Sequence, residues 1–223
     1  MPELPEVETT CRGIEPYLIG RKALSIDIRN PNMRWPIEET VRELVGVKIE
    51  AVQRRAKYIL IRSNKGTLIL HLGMSGSLRI CPHETEFKKH DHFVIGLGSD
   101  IEMRLHDPRR FGAVLWHPTI DGPVSKHRLL QHLGPEPLSK DFDANYLVTS
   151  CKNRKTTIKQ YIMNNKTVVG VGNIYACEAL FRSGIKPNRN AGNISRAKLT
   201  LLSEQIKKVL SEAIKQGGTT LRD

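Results

Sequence analysis

The stretch VKIEAVQRRAKYILIRSNKGTLILHL, residues 47–72, decides the fold class. Val47, Ile49 and Ala51 alternate with Lys48 and Glu50, the period of two that places every second side chain on one face of a strand. Tyr58–Arg62 and Thr67–Leu72 follow as short apolar runs. Upstream, Leu24, Ile26 and Ile28 repeat the alternation; downstream, Phe93–Leu97, Glu102–Leu105 and Ala113–His117 supply further strands. Short strands with turn signals between them predict an antiparallel sandwich or barrel over about residues 20–118.

The flanks read differently. Residues 5–19 carry Val7, Cys11, Ile14 and Leu18 at helical spacing, closed by Gly20. Past Asp121-Gly122-Pro123 and Leu133-Gly134-Pro135-Glu136-Pro137-Leu138 the strand pattern vanishes. Ile158, Tyr161 and Ile162 suggest one helix and Ile174 to Phe181 another. The segment Ser195–Gln216 has Leu199, Leu202, Ile206, Val209, Ala213 and Ile214 on one side, before a Gly217-Gly218 stop. The expectation is an α+β chain: an N-terminal helix plus antiparallel β-sandwich over residues 2–120, a linker over 121–138, and a helical domain over 139–223.

Composition narrows the partners. The 223 residues carry 35 Lys and Arg against 23 Asp and Glu, a net charge of +12 with pI near 9.7. Nucleic acid is the first polyanion such a chain would meet, with an anionic membrane surface as the rival. No run approaches the ~18–20 apolar residues of a spanning helix, and no signal-peptide pattern opens the chain. A cytoplasmic protein without a membrane partner is expected. Cys11, Cys81, Cys151 and Cys177 form no C-x-x-C pair, which argues against a zinc knuckle and for reduced thiols.

Several short words carry possible chemistry. In Met1-Pro2-Glu3-Leu4-Pro5-Glu6, removal of Met1 would leave the secondary amine of Pro2 beside Glu3 and Glu6. An α-amino group titrates near ~7.7–8.0 against ~10.4 for lysine, so part of it is neutral and nucleophilic at neutral pH. Its attack on a sugar C1′ gives an iminium, with a neighbouring carboxylic acid as proton donor. The bland alternative is an acidic helix start. Gln53-Arg54-Arg55-Ala56-Lys57-Tyr58 opens a strand, either a charged edge or a phosphate-facing site into which Lys57 reaches.

Met74, at the tip of His71-Leu72-Gly73-Met74-Ser75-Gly76, is a core filler or a wedge between base steps. Arg109 and Phe111 in Asp107-Pro108-Arg109-Arg110-Phe111-Gly112 pair a guanidinium with a ring, as duplex distortion needs, or are surface arginines around a buried Phe. His90 precedes a strand and suits phosphate contact better than a metal site. Lys152, Arg154, Lys155 and Lys159 make a basic start to the helical half, which can also be a solvated face. Val168-Val169-Gly170-Val171-Gly172-Asn173-Ile174-Tyr175 lacks the third glycine of a dinucleotide fingerprint. It reads instead as a turn presenting free helix N-terminal amides to a phosphate, with Asn173 as cap or donor.

Taken in order, the words MPELPEVET, QRRAKY, HLGMSGSLR, KHDH, DPRRFG, LGPEPL, VVGVGNIYA and QGGTTL resemble the bacterial formamidopyrimidine-DNA glycosylases, base-excision enzymes for oxidised purines. Leu4 favours that purine-directed branch over the endonuclease VIII group. The resemblance implies a helix-led β-sandwich followed by a helix–two-turns–helix domain. It implies Pro2 as nucleophile, Glu3 as general acid, Glu6 as support and Lys57 as the lysine of β-elimination or phosphate binding. Met74, Arg109 and Phe111 would fill the hole left by a flipped nucleotide. His90, Arg154, Lys155, Asn173 and Tyr175 would contact DNA. The implied partner is duplex DNA containing oxidised purines, met by a monomer at the nucleoid. Relatives carry one zinc ion in a C-terminal four-cysteine finger; the sequence stops at Leu221-Arg222-Asp223 and offers no such ligands. Impaired excision is therefore expected, and a non-catalytic damaged-DNA-binding remnant is the rival reading.

Overall fold

The computed structural model describes residues 2–98 and 100–218. Met1, Ser99 and residues 219–223 lie outside the described residues, and with them the end of the QGGTTL word and of the 139–223 segment. The chain divides into two compact units. One comprises Pro2 and Val7–Gln131; the other comprises Glu3–Glu6 and the chain from His132 onward. The break at Gln131/His132 falls inside the segment read as the linker.

In the first unit, helix α1 (Leu4–Leu18) sends Val7, Cys11, Ile14 and Leu18 into the core. Among the described residues eight strands follow: β1 (Ser25–Ile28), β2 (Ile49–Arg55), β3 (Tyr58–Ser63), β4 (Gly66–His71), β5 (Ser77–Pro82), β6 (Asp91–Gly96), β7 (Ile101–His106) and β8 (Ala113–Pro118). They form two four-stranded antiparallel sheets, in the orders β1-β6-β7-β5 and β2-β3-β4-β8. Ile49, Ile59, Ile61, Leu68 and Leu70 of one sheet share a buried cluster with Phe93, Ile95, Met103 and Leu105 of the other. Two sheets facing one apolar layer make a sandwich rather than a barrel.

Two differences from the sequence expectation have physical causes. Strand β5 is an edge strand whose central residues are half-buried on both faces, so it shows no alternation. Lys57 does not open a strand; Ala56 and Lys57 form the two-residue turn between β2 and β3, where Arg55 pairs with Tyr58. Ala56 takes φ +54, a left-handed conformation tolerated there because the hairpin demands it.

The second unit is helical. Helix α2 (Ala144–Cys151) starts where the Asp143 carboxylate accepts the Tyr146 amide at 2.7 Å, and it buries Leu147 and Cys151. It was not anticipated, because two buried positions give little periodicity. Helices α3 (Ile158–Met163), α4 (Asn173–Arg182) and α5 (Arg196–Lys215) match the expected segments. Their core gathers Ile158, Ile162, Ala176, Leu180, Leu202, Ile206 and Leu210, and it also contains Leu4. Among the described residues no helix is long and apolar enough to cross a membrane.

Candidate functional site

The first turn of α1 and the N-terminus of α4 build one polar cluster inside the second unit. Helix N-termini leave backbone amides without intrahelical partners. Here a carboxylate from far upstream in the chain takes them. Glu3 Oε2 accepts the amides of Gly172 at 2.8 Å and Tyr175 at 3.4 Å, and Oε1 accepts that of Ile174 at 3.0 Å. Glu3 is 2% exposed, and the positive end of the α4 dipole complements its charge. The Leu4 amide donates to the Gly170 carbonyl at 3.1 Å. The Glu3 amide donates to Glu6 Oε2 at 2.8 Å, and the Tyr175 hydroxyl donates to Glu6 Oε1 at 2.5 Å. Half-buried Pro2 is bonded directly to this fixed residue.

Two glycines make the cluster possible. Gly170 turns with φ +79, and a Cβ there would lie 2.6 Å from the Leu4 side chain. A Cβ on Gly172 would lie 2.3 Å from Glu3 Cδ. The glycine-rich word thus has a different use from the one expected. The Gly172, Ile174 and Tyr175 amides serve Glu3 rather than standing free for a phosphate. Asn173 is not the cap: Gly172 occupies that position, and Asn173 is the exposed first residue of α4. Sequence reasoning missed Gly170 and Gly172 as the receptors of the N-terminus, since nothing local connects residues so far apart.

The first unit carries the remaining candidates in its loops. Lys57 is half-buried in the β2–β3 turn. Burial, then the charge of Arg34 and then that of Lys57, push the His71 imidazole down to about 4. His71 Nδ1 accepts the Gly73 amide at 2.9 Å, a bond that needs the unprotonated nitrogen. Gly73, with φ +63, brings its loop against the backbone of Phe111.

Met74 and Phe111 are 41% and 45% exposed. The Arg109 guanidinium lies 4.9 Å from the centre of the Phe111 ring. Phe111 is therefore not the buried ring of the bland reading. His90 sits in the turn before β6, its ring 5.9 Å from those of His92 and His106, and its carbonyl accepts the Asp107 amide at 2.9 Å. Arg154 and Lys155 are exposed in the turn after α2, which Asn153 shapes with φ +58.

A zinc site does not fit what is described. Among the described residues no group of three or more His, Cys, Asp or Glu could hold a metal ion. Cys11 and Cys151 are buried apart, and burial pushes their thiols up to about 12 and about 11.

Residues 1–114 match the family described as formamidopyrimidine-DNA glycosylase N-terminal domain, and residues 133–223 match the formamidopyrimidine-DNA glycosylase H2TH domain. The formamidopyrimidine-DNA glycosylase of Thioalkalivibrio sulfidiphilus is 57% identical over 224 residues, covering 100% of this chain and 82% of the relative. That of Shewanella oneidensis is 52% identical over 223 residues, covering 100% and 81%. The Lactococcus lactis formamidopyrimidine-DNA glycosylase bound to DNA containing an abasic site superposes with TM-score 0.90 at 32% identity, over 97% of this chain and 83% of that one. The same enzyme in complex with DNA containing Fapy-dG gives TM-score 0.91 at 32% identity, over 98% and 82%.

Proposed function

The chain belongs to the formamidopyrimidine-DNA glycosylase family, and from that premise we propose that it excises oxidised purines from duplex DNA and then cleaves the strand through a Schiff base on Pro2. The observation that carries this reading is the seat of Glu3: buried, fixed by the amide of the Gly172 cap and two amides of the first turn of α4, and covalently next to Pro2.

With Met1 removed, the Pro2 nitrogen lone pair attacks C1′ of the damaged nucleotide. The glycosidic bond breaks, and its electron pair leaves with the base, which takes up a proton. The C1′–O4′ bond then opens toward O4′ as the amine gives its proton to the Glu3 carboxylate, which passes it on to O4′, and C1′ becomes an iminium. Loss of a C2′ proton expels the 3′-phosphate in a β-elimination, and water finally releases Pro2. Lys57 serves this last stage, by proton transfer or by holding a phosphate. Glu6 supports the site through its bonds to the Glu3 amide and the Tyr175 hydroxyl.

A base inside the stack cannot be reached at C1′, so it must be extruded and the gap propped. Met74, Arg109 and Phe111 are the props, with Arg109 addressing the estranged cytosine. His90, Arg154, Lys155 and Asn173 steady the backbone through phosphate contacts. Tyr175 helps them indirectly, because its hydroxyl is committed to Glu6. The chain acts as a monomer on duplex DNA at the nucleoid.

Borohydride trapping on an 8-oxoguanine:cytosine duplex, with peptide mapping, tests the reading. An adduct on Pro2 is expected. A folded chain lacking Met1 that gives no adduct, or one elsewhere, sinks it; retention of Met1 with tight binding to damaged duplex would make the chain a non-catalytic binder.

A further inference from the structure

We propose that Asp107 and Ser75 form a latch that sets Met74 against Arg109 and Phe111, making both of them positioning residues; this rests on the wedge reading above. Asp107 is 0% exposed, although it leaves the end of β7 at the base of a surface loop. Its two carboxylate oxygens serve two different loops. Oδ1 accepts the Ser75 hydroxyl at 2.7 Å, from the loop between β4 and β5. Oδ2 accepts the Gly112 amide at 2.7 Å, from the loop between β7 and β8.

Ser75 completes the tie. While its hydroxyl donates to Asp107, its Oγ accepts the Arg109 amide at 3.2 Å. A hydroxyl is suited to this bridge because it donates and accepts at one atom. The Asp107 main chain is held as well: its amide donates to the His90 carbonyl, and its carbonyl lies 3.0 Å from His92 Nε2 and accepts the Arg110 amide at 3.2 Å. Arg110 is kept at φ +56 by this frame. The loops touch with no slack, since a Cβ on Gly73 would lie 2.4 Å from the Phe111 carbonyl carbon.

A buried carboxylate is a poor stabilising device. Its desolvation cost is recovered only by the bonds it makes, and apolar replacements often serve stability as well. What this one supplies is geometry. Met74 and Phe111 arise from separate loops, and a gap of one base step tolerates little error between the two tips. The latch fixes both loops to one carboxylate, and couples them to His90 through the backbone.

The test uses the whole chain and a duplex with a tetrahydrofuran abasic analogue opposite 2-aminopurine, whose fluorescence rises when the wedge unstacks it. Relative to the unmodified chain, Ser75→Ala should insert about tenfold less favourably, the change expected for one hydrogen bond to a charged group. Ser75→Thr, which keeps the hydroxyl, should restore the signal. Asp107→Asn keeps one acceptor oxygen, so an NH2 meets either the Gly112 amide or the Ser75 hydroxyl, and it should lose at least as much, with the double variant Ser75→Ala/Asp107→Asn no worse than Asp107→Asn. If the unmodified chain gives no rise, or Met74→Ala leaves the rise intact, the wedge reading falls and the latch with it. A rise that needs Met74 but is unchanged in Ser75→Ala overturns the latch alone. Loss of cooperative thermal unfolding in Ser75→Ala also overturns it, because the bonds would then serve global stability.

Discussion

At residue scale, the seat of Glu3 depends on a missing side chain. A methyl group on Gly172 would fall 2.4 Å from Glu3 Oε1, so the carboxylate must leave the α4 amides or the helix start must shift. Gly172→Ala is therefore expected to slow borohydride trapping on abasic DNA about 10²-fold, the cost of a displacement near 1 Å in a reacting group. A variant that traps at the unmodified rate would show that the seat is dispensable. His71 gives a second residue-scale outcome. Its folded-state pKa, about 4, lies below the ordinary 6.5. Below pH 6.5 the unfolded chain binds a proton that the folded chain refuses, so stability falls as pH drops and levels off near 4. The loss over that window is roughly 3 kcal/mol. Urea denaturation should show it shrinking in His71→Asn; parallel pH profiles for the two chains would contradict it.

At the scale of elements, α1 has a divided allegiance. Leu4 is buried with Phe142, Val171 and Tyr175, whereas Val7, Cys11 and Ile14 are buried with the strands. The helix start is thus a component of the helical unit's core, and this brings Glu3 to α4. Leu4→Ala should cost about 2–5 kcal/mol through lost burial and an unfilled cavity. Hydrogen exchange should locate that loss in α4 and α5 while β3 and β4 keep their protection. Uniform loss in both sets of amides would contradict this assignment. The β2–β3 hairpin makes a comparable point: its two-residue turn, and not a strand, is what presents Lys57.

At the scale of the whole molecule, the charge of +12 sets how DNA binding responds to salt. Each phosphate neutralised contributes about 0.9 to the slope of log affinity against log salt. Replacing Arg154 and Lys155 together by Ala should lower that slope by about two, equally for damaged and undamaged duplex. A loss confined to damaged duplex would assign them to lesion recognition instead. The chain covers 81–82% of the length of the relatives named above, and these slopes belong to the 223 residues themselves.

Much of this protein was written locally. The strands β1 and β2 and the helices α1 and α3–α5 follow from periods of two and 3.6, because burial on one face imposes those periods, while β3, β4 and β6–β8 follow as short, nearly continuous buried runs bounded by turn signals. The cation runs were likewise readable, whereas Met74 and Phe111 stayed open between core and surface in the sequence, and their exposure came from the structure. Strand β5 was not, since an edge strand half-buried throughout has no contrast to read. The purpose of Gly170 and Gly172, the capture of Glu3 by α4 and the burial of Asp107 under two loops also came only from tertiary structure. Each joins residues distant in the chain through space that only packing creates, and no local pattern encodes which distant carboxylate will fill an orphaned helix terminus.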